Sequence, residues 1–191
     1  TTLSRYRPVI IASEQPSSFY STLSVRKAQI DGYVLGGGTL EVHASDYDGE
    51  AAAFVLPGGM RIDRDFAGDN LVLLPGHPLA AGLPATVRGN YASHSSFRDL
   101  PPGARIVMNN PAGAATLVEY RAGAGAVIAS GQTLEIYLYY GGPVGRILQN
   151  MIPYAHDWAP PWISAAPVSG TVPAGQRASI AVTIDAAGLF G

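Results

Sequence analysis

The chain of 191 residues has no cysteine, a single lysine (Lys27) and few charged residues of either sign. Without cysteine there can be no disulfide, no thiolate metal site and no cysteine nucleophile. The 12 basic and 14 acidic residues nearly cancel and form no basic run, which excludes nucleic acid as an expected partner. No apolar stretch approaches the ~20 residues of a membrane-spanning helix, so no membrane span is expected.

Apolar and turn-forming residues are plentiful instead. Hydrophobic residues make up 47% of the chain, so it can bury a core and is not expected to be disordered. The 23 glycines and 15 prolines are about a fifth of the chain, against ~12% in an average protein. This excess predicts many turns and short strands rather than a helical bundle.

The first part of the chain has the pattern of a strand–helix–strand unit. Residues 8–12 are a continuous apolar run, typical of a strand buried on both faces. Apolar residues then recur at helical spacing until the glycines at 36–38, which end the helix. Residues 39–44 alternate strictly, with Glu41 and His43 on the face opposite the apolar one. Such a unit normally lies in a parallel sheet.

Further strands and one strongly amphipathic helix follow. Residues 50–74 predict short strand excursions, and residues 75–103 predict a long loop rich in glycine and proline. Strands are predicted at 104–108, 115–120 and 125–129, the last two forming an antiparallel hairpin, and a helix with one apolar face at 143–155. These elements together predict an α/β domain.

The end of the chain has a different composition. The prolines at 160–161 mark residues 158–161 as a linker, and residues 162–191 contain two or three short strands. A hairpin of that size is marginally stable by itself in water. We therefore expect these strands to dock on the α/β domain or to form a homodimer by pairing across a two-fold axis.

Five segments, in order along the chain, carry a resemblance to a known family. They are 33–44 (YVLGGGTLEVHA), 77–83 (HPLAAGL), 116–120 (TLVEY), 127–135 (VIASGQTLE) and 147–155 (ILQNMIPYA). Through them the chain resembles the class I glutamine amidotransferase-like domain, in the degenerate, non-amidotransferase branch found in trehalose-utilisation-type and secreted bacterial proteins. The resemblance implies a flavodoxin-like, mostly parallel sheet flanked by helices over residues 1–157, without the family's first strand and helix.

A second resemblance covers residues 162–191. They look like the start of an immunoglobulin-like, BACON-type module, which implies a piece of a longer, multidomain bacterial protein. Together the two resemblances imply an extracellular or cell-surface location, with other domains of the same longer chain as partners.

The first resemblance also locates the family's catalytic positions. The cysteine nucleophile of amidotransferases follows the strand that is 39–44 here, and the matching turn begins Ser45-Asp46. The family's histidine and glutamate follow the strand at 125–129, and the local sequence at 130–135 ends in Glu135 and contains no histidine. Glutamine amidotransfer by a cysteine is therefore excluded.

The same turns still predict a cleft. Parallel sheets bind ligands beyond the carboxyl ends of their strands, so Ser45, Asp46, Gln132 and Glu135 are expected to converge there. Asp46 and Gln132 would be ligand-binding residues.

Two hypotheses remain for Ser45. With a histidine (His43 or His94) and an acid such as Glu135, it would form a serine hydrolase site. The alternative is a serine in a surface turn, which the lack of a G-x-S-x-G motif around Ser45 favours. His94 likewise either faces a ligand or bonds a loop carbonyl.

A metal site is the other hypothesis at this strand end. Glu41, His43, Asp46 and Asp48 lie close in sequence, and carboxylate oxygen with imidazole suits Zn, Mn or Fe. The alternative is a hydrogen-bonded Glu41–His43 pair beneath a helix, with the aspartates stabilising turns. We expect no cofactor.

The sequence therefore leaves two functions open. The first is a non-catalytic accessory or interaction region of a larger secreted or cell-surface bacterial protein. The alternative is a hydrolase-type enzyme, or a fragment of a secreted protease, that uses the cleft around Ser45, His43 or His94, and Glu135, with or without a metal.

Overall fold

A mixed sheet of seven strands organises the computed structural model, which describes residues 3–158, 163–166 and 170–184. The strands are β1 (Val9–Ile11), β2 (Thr39–His43), β3 (Arg61–Val72), β4 (Thr86–Arg98), β5 (Arg105–Asn109), β6 (Ala115–Ala122) and β7 (Gly125–Ser130). Their order across the sheet is β1-β2-β7-β6-β4-β3-β5. Because β5 also pairs with β6, the antiparallel part of the sheet closes on itself.

Helices cover both faces of this sheet. Within the described residues they are α1 (Ser17–Val25), α2 (Lys27–Leu35), α3 (Leu134–Tyr140) and α4 (Pro143–Asp157), with short 3-10 turns at Leu3–Arg5, Glu50–Ala53 and Pro78–Ala80. None of the helices in this part of the chain is long and apolar enough to cross a membrane.

The sheet separates two hydrophobic cores. One includes Tyr20 of α1 and Leu40 of β2, and the other includes Ile147 of α4. Since successive side chains of a strand point to opposite faces, a strand with both faces covered buries all of them. Every residue of β2 is buried, so the polar Glu41 and His43 lie inside the protein and need internal partners.

The expected mostly parallel, flavodoxin-like sheet is wrong. Within the described residues β1 pairs with β2 and β2 with β7 in parallel, whereas the other pairings are antiparallel. Parallel neighbours need a crossover, usually a helix. Helices α1 and α2 supply that crossover between β1 and β2, but β3, β4, β5, β6 and β7 follow one another without an intervening α-helix, so they pair antiparallel.

The long strands β3 and β4 replace the predicted short excursions at 50–74 and the predicted loop at 75–103. Bulges after Arg64 and Ala67 interrupt the alternation in β3. In β4 the buried positions include the serines 93, 95 and 96. A hydrophobic pattern therefore does not reveal either strand, although the two pair along most of their length.

Several other predicted elements are confirmed. Strands are present close to 8–12 and 39–44, and β6 and β7 form the predicted antiparallel hairpin. Helix α4 covers the predicted 143–155 and buries its apolar face, except that Ile152 is 46% exposed.

A buried carboxylate ties the segment after β3 to the sheet. Glu119 of β6 accepts hydrogen bonds from His77 (3.0 Å) and the Tyr154 hydroxyl (2.7 Å) and forms an ion pair with Arg105 (2.9 Å). His77 Nδ1 accepts from the Leu79 amide at 3.2 Å, so its Nε2 carries the proton that Glu119 accepts. This arrangement is a satisfied structural cluster between β6 and α4.

The C-terminal part contains an antiparallel pair of strands, β8 (Ile163–Ala166) and β9 (Ala181–Ile184). The side chains of residues 170–182 are all exposed. Residues 159–162, 167–169 and 185–191 lie outside the described residues. The division into 1–157, 158–161 and 162–191, the immunoglobulin-like module and the docking or pairing of its strands therefore stay predictions.

The start of β7 provides a test of the packing between α2 and the sheet. A Cβ atom at Gly125 would lie 2.2 Å from the carbonyl oxygens of Gly38 and Val34. We expect Gly125→Ala to lower the free energy of unfolding by about 1–3 kcal/mol, the usual cost of forced overpacking. Gly32→Ala is the matched control, because it faces open space on helix α2 and should stabilise by up to about 1 kcal/mol. Urea unfolding measures the free energy of unfolding of both variants. An equal change in the two variants would contradict the close packing at Gly125.

Candidate functional site

The carboxyl ends of the three parallel-paired strands β1, β2 and β7 lie at one edge of the sheet. Residues that follow these strands line a cleft of about 150 Å³. Its lining residues are Ala12, Ser13, Glu14, Ser45, Thr133, Glu135 and Ile136. This is the place at which sheets with parallel strands bind ligands, so the cleft is the candidate site.

His43 lies between two carboxyl groups, one of which belongs to the cleft-lining residue Glu135. Its Nε2 lies 2.7 Å from Glu41 Oε1, and its Nδ1 lies 2.6 Å from Glu135 Oε1. An ionised carboxylate only accepts hydrogen bonds, so with Glu41 and Glu135 ionised both ring nitrogens donate and His43 is an imidazolium. The predicted Glu41–His43 pair is present, and α3 adds Glu135 as a third member.

Burial and charge act in opposite directions on this group. Burial acts to lower the pKa of His43, but the hydrogen bonds and charges of Glu135 and Glu41 outweigh it and raise the pKa to about 9. Burial acts to raise the pKa of Glu135, but the hydrogen bond and charge of His43, with the bond from Ser13, outweigh it and lower the pKa to about 2. At neutral pH His43 is therefore positive and Glu135 negative.

Glu135 also binds the end of β1. The Ser13 hydroxyl donates to Glu135 Oε2 at 2.7 Å, and the Ser13 amide donates to Oε1 at 3.3 Å. Through Glu135 and His43, hydrogen bonds join the ends of β1 and β2 to the first turn of α3. We call Glu41, His43, Glu135 and Ser13 the carboxyl-edge network.

Ser45, Glu14 and Thr133 are the polar lining residues of the cleft that lie outside this network. Ser45 is 1% exposed, and its Oγ has no hydrogen-bond partner among the described residues. The Glu14 carboxyl accepts the Tyr47 amide at 3.2 Å. Burial raises the pKa of Glu14, and the nearby charges of Asp46, Asp48 and Glu135 raise it further, against the lowering effect of the Tyr47 bond.

The other predicted residues have internal roles. Asp46 accepts the amides of Asp48 (3.1 Å) and Ala51 (2.6 Å) and so stabilises the turn after β2. Gln132 accepts a hydrogen bond from Ser130 and donates to Thr116 at 3.0 Å. Neither of these two side chains lines the cleft.

The four proposed metal ligands are not brought together. Of the side chains of Glu41, His43, Asp46 and Asp48, only those of Glu41 and His43 bond each other, and both ring nitrogens of His43 contact carboxyl groups. Throughout residues 3–158, 163–166 and 170–184, no group of three or more histidine, aspartate or glutamate side chains is placed to hold a metal ion.

His94 lies beside the cleft in a set of aromatic rings. Its Nδ1 is buried, has no hydrogen-bond partner among the described residues, and lies 3.6 Å from Glu14 Oε1. Burial lowers the pKa of His94, and the positive charge of Arg64 lowers it further. Ser45 and Glu135 therefore line one cleft, but the Ser45 hydroxyl forms no hydrogen bond with His43 or His94.

Comparison with known proteins supports the fold and leaves the activity open. No protein-family model matches the chain. An uncharacterized protein of Clostridium acetobutylicum is 32% identical over 157 residues, which are 81% of this chain but 16% of that protein. The chain thus spans about a sixth of the length of this relative.

Two solved structures share the fold. A cytoplasmic protein of Salmonella typhimurium superposes with a TM-score of 0.56 at 14% identity, over 80% of this chain and 72% of that one. A ThuA-like protein of Bacteroides uniformis superposes with a TM-score of 0.53 at 12% identity, over 80% of this chain and 70% of that one. The second match agrees with the resemblance to trehalose-utilisation-type domains of the amidotransferase-like group.

Sequence reasoning missed Ser13, Glu14, Thr133 and Ile136. The rule that selected Ser45 after β2 applies equally to the residues after β1, and it would have selected Ser13 and Glu14. Ile136 lies in the first turn of α3 and Thr133 directly precedes that helix. The apolar pattern of the sequence does not reveal this short helix.

The ionised His43 predicts an alkaline loss of stability. Its folded pKa of about 9 exceeds the ordinary 6.5, so between these values the folded state keeps a proton that the unfolded chain releases. We expect the free energy of unfolding to be highest below pH 6.5 and to fall as the pH rises through about 9. Urea unfolding across this interval measures the fall.

The control is the double variant Glu41→Leu/His43→Leu, which replaces the buried pair by apolar side chains and should fold with this alkaline fall removed. An equal fall in the parent and the double variant would contradict the assignment.

Proposed function

We propose that this chain is a non-catalytic accessory or interaction domain of a longer bacterial protein that is secreted or displayed at the cell surface. The observation that carries the proposal is the pair of contacts that His43 makes with two carboxyl groups. Its ring nitrogens lie 2.6 and 2.7 Å from oxygens of Glu135 and Glu41, and the imidazolium that these contacts favour has no lone pair with which to take a proton from Ser45. A serine nucleophile needs such a base.

The remaining histidine near the cleft supports the same proposal. His94 Nδ1 and Ser45 Oγ are both buried without a hydrogen-bond partner among the described residues. A base within hydrogen-bond reach of the nucleophile is the arrangement that activates serine. The lack of cysteine removes the nucleophile that the amidotransferase group uses.

Length is the second support. The matched stretch is 16% of the relative from Clostridium acetobutylicum, as expected for one domain among several. Other domains of the same longer chain are therefore the proposed partners, and extracellular or cell-surface location remains part of the proposal.

One observation favours the alternative, a hydrolase. Glu14 and Glu135 line the same cleft, and their surroundings shift their pKa values in opposite directions, Glu14 upward and Glu135 to about 2. Such a division is what separates a general acid from a charged carboxylate in enzymes that hydrolyse glycosides.

Both functions are tested on the 191-residue chain. We expect no covalent adduct at Ser45 after incubation with a fluorophosphonate probe, measured by intact mass. We also expect no hydrolysis of nitrophenyl esters or nitrophenyl glycosides above the level of the Ser45→Ala and Glu14→Gln variants. Circular dichroism of each variant controls for folding.

Two results would contradict the proposal. Stoichiometric labelling that is lost in Ser45→Ala would show an activated serine. Glycoside hydrolysis that is lost in Glu14→Gln would show acid catalysis in the cleft.

A further inference from the structure

Strand β1 is an open edge of the seven-stranded sheet. Among the described residues it pairs only with β2, in parallel, whereas β5 at the other end of the strand order pairs a second time, with β6. The outer side of β1 therefore has no neighbouring strand in the part of the chain that the structure describes. An edge of this kind can pair with a strand of another chain.

The sequence of β1 does little to prevent such pairing. Natural edge strands usually carry a lysine, a proline or an inward-pointing charge, or are covered by a helix or a loop. Residues 9–12 are Val-Ile-Ile-Ala, with no charge or proline among them. The strand is short, with three residues, so a partner must gain from side chains as well as from backbone hydrogen bonds.

Ile10 places an apolar side chain at this edge. It is 41% exposed, whereas Val9 and Ile11 on the other face of β1 pack against the core that contains Leu40. Ile10 is in register with Glu41, so its side chain points to the same face of the sheet as the Glu41 carboxyl. Covering Ile10 by a second strand would remove this apolar surface from water.

Apolar surface continues from Ile10 to helix α3. Ala12 follows two residues later and lines the cleft together with Ile136, which is 47% exposed. Tyr139 and Tyr140 lie three and four residues after Ile136 and so share its face of the helix, where they are 83% and 78% exposed. Connected exposed apolar surface of this kind is typical of a protein–protein contact.

Charges of opposite sign flank β1 and indicate which partner fits. Arg5 and Arg7 precede the strand, and Glu14 follows it with its side chain 43% exposed. When two copies of β1 pair antiparallel, the start of each strand lies beside the end of the other. The arginines of one copy then approach Glu14 of the second, whereas parallel pairing of two copies would bring like charges together. The edge is thus complementary to itself across a two-fold axis.

The length of β1 sets the register of such a pair. Pairing all three residues across a two-fold axis places Ile10 opposite its own copy and Val9 opposite Ile11. Residues directly opposite in an antiparallel pair have Cα atoms about 4.5–5.5 Å apart and side chains on the same face. The two Ile10 side chains therefore cover each other.

We propose that two copies of this chain form a homodimer by antiparallel pairing of their β1 strands, centred on Ile10. The dimer continues the seven-stranded sheet across the two-fold axis, with Ile10 at its centre and the charges of Arg5, Arg7 and Glu14 at both ends. It differs from the predicted pairing of the C-terminal strands, since β8 and β9 belong to a separate sheet. The inference goes beyond the proposed function, because it concerns self-association and holds with or without catalysis in the cleft.

Sedimentation velocity of the 191-residue chain tests the self-association. Over about 1–500 μM we expect a monomer–dimer equilibrium with a dissociation constant of about 10–100 μM, as for a small interface. Ile10→Lys should weaken the dimer at least about tenfold, because it removes covered apolar surface and places two like charges opposite each other. Val25→Lys is the matched control, since Val25 is 88% exposed at the end of helix α1, and it should dimerise like the parent.

A cysteine at the edge tests the register, because the chain has no other thiol. Ile10→Cys should form a disulfide-linked dimer when oxidised with diamide, since Cα atoms about 4.5–5.5 Å apart are within disulfide range. Val25→Cys is the control and should stay largely monomeric at the same protein concentration. Intact mass under non-reducing conditions measures the yield, and circular dichroism of each variant controls for folding.

A charge exchange tests the flanking residues. Glu14→Arg should weaken the dimer about tenfold, because it places positive charge beside the arginines of the second copy. Adding Arg5→Glu to the same chain should restore part of the affinity, since each end of the dimer again has opposite charges.

Four results would overturn the inference. They are a chain that stays monomeric at about 500 μM, a dimer that Ile10→Lys leaves intact, equal cross-linking of the two cysteine variants, and an affinity that Glu14→Arg does not change. The second and third of these results would place the contact on another surface of the molecule.

Discussion

The ion pairs of His43 are the interaction on which this edge of the molecule depends. Glu41 is fully buried and the His43 side chain is 4% exposed, and taking two charges out of water is costly unless they face each other closely. The contacts of 2.7 and 2.6 Å bring the charges together, although Glu41 Oε2 is buried without a hydrogen-bond partner among the described residues. Because Glu135 belongs to α3 and also binds Ser13 after β1, one imidazolium holds together three separate segments. Removing one partner of such a buried group typically costs about 3–5 kcal/mol.

This stability has a chemical consequence. An imidazolium with both protons held by carboxylates neither accepts a proton from a neighbouring hydroxyl nor binds a metal. Ser45, which follows β2, has no hydrogen-bond partner for its Oγ among the described residues, and this agrees with the proposed non-catalytic role. The edge also contains a small cleft of about 150 Å³ that is lined by Glu14 and Glu135 together with apolar residues.

The sequence predicted this edge better than it predicted the sheet. Strict alternation in 39–44 was sufficient to pair Glu41 with His43, and the parallel arrangement of β1 and β2 placed Ser45 at a strand end. The link to Glu135 through His43 depends on α3, whose sequence LEIYLYY is apolar or aromatic at every position except Glu135 and therefore shows no amphipathic periodicity. The prediction of a mostly parallel sheet was wrong because β3 and β4 were not recognised as strands. Bulges interrupt the alternation of β3, and serines occupy buried positions of β4. Strand pairing of that kind is decided by partners distant in sequence.

The protonation state of His43 is the most direct test of this account. Nitrogen NMR of the 15N-labelled histidine rings at neutral pH distinguishes a ring with two protonated nitrogens from a neutral ring with one. We predict that His43 has both nitrogens protonated, with hydrogen-bonded ring protons protected from exchange, and that Glu41→Gln shifts its titration to lower pH. A neutral His43 with one unprotonated nitrogen would contradict the account, because that nitrogen could then serve Ser45 as a base.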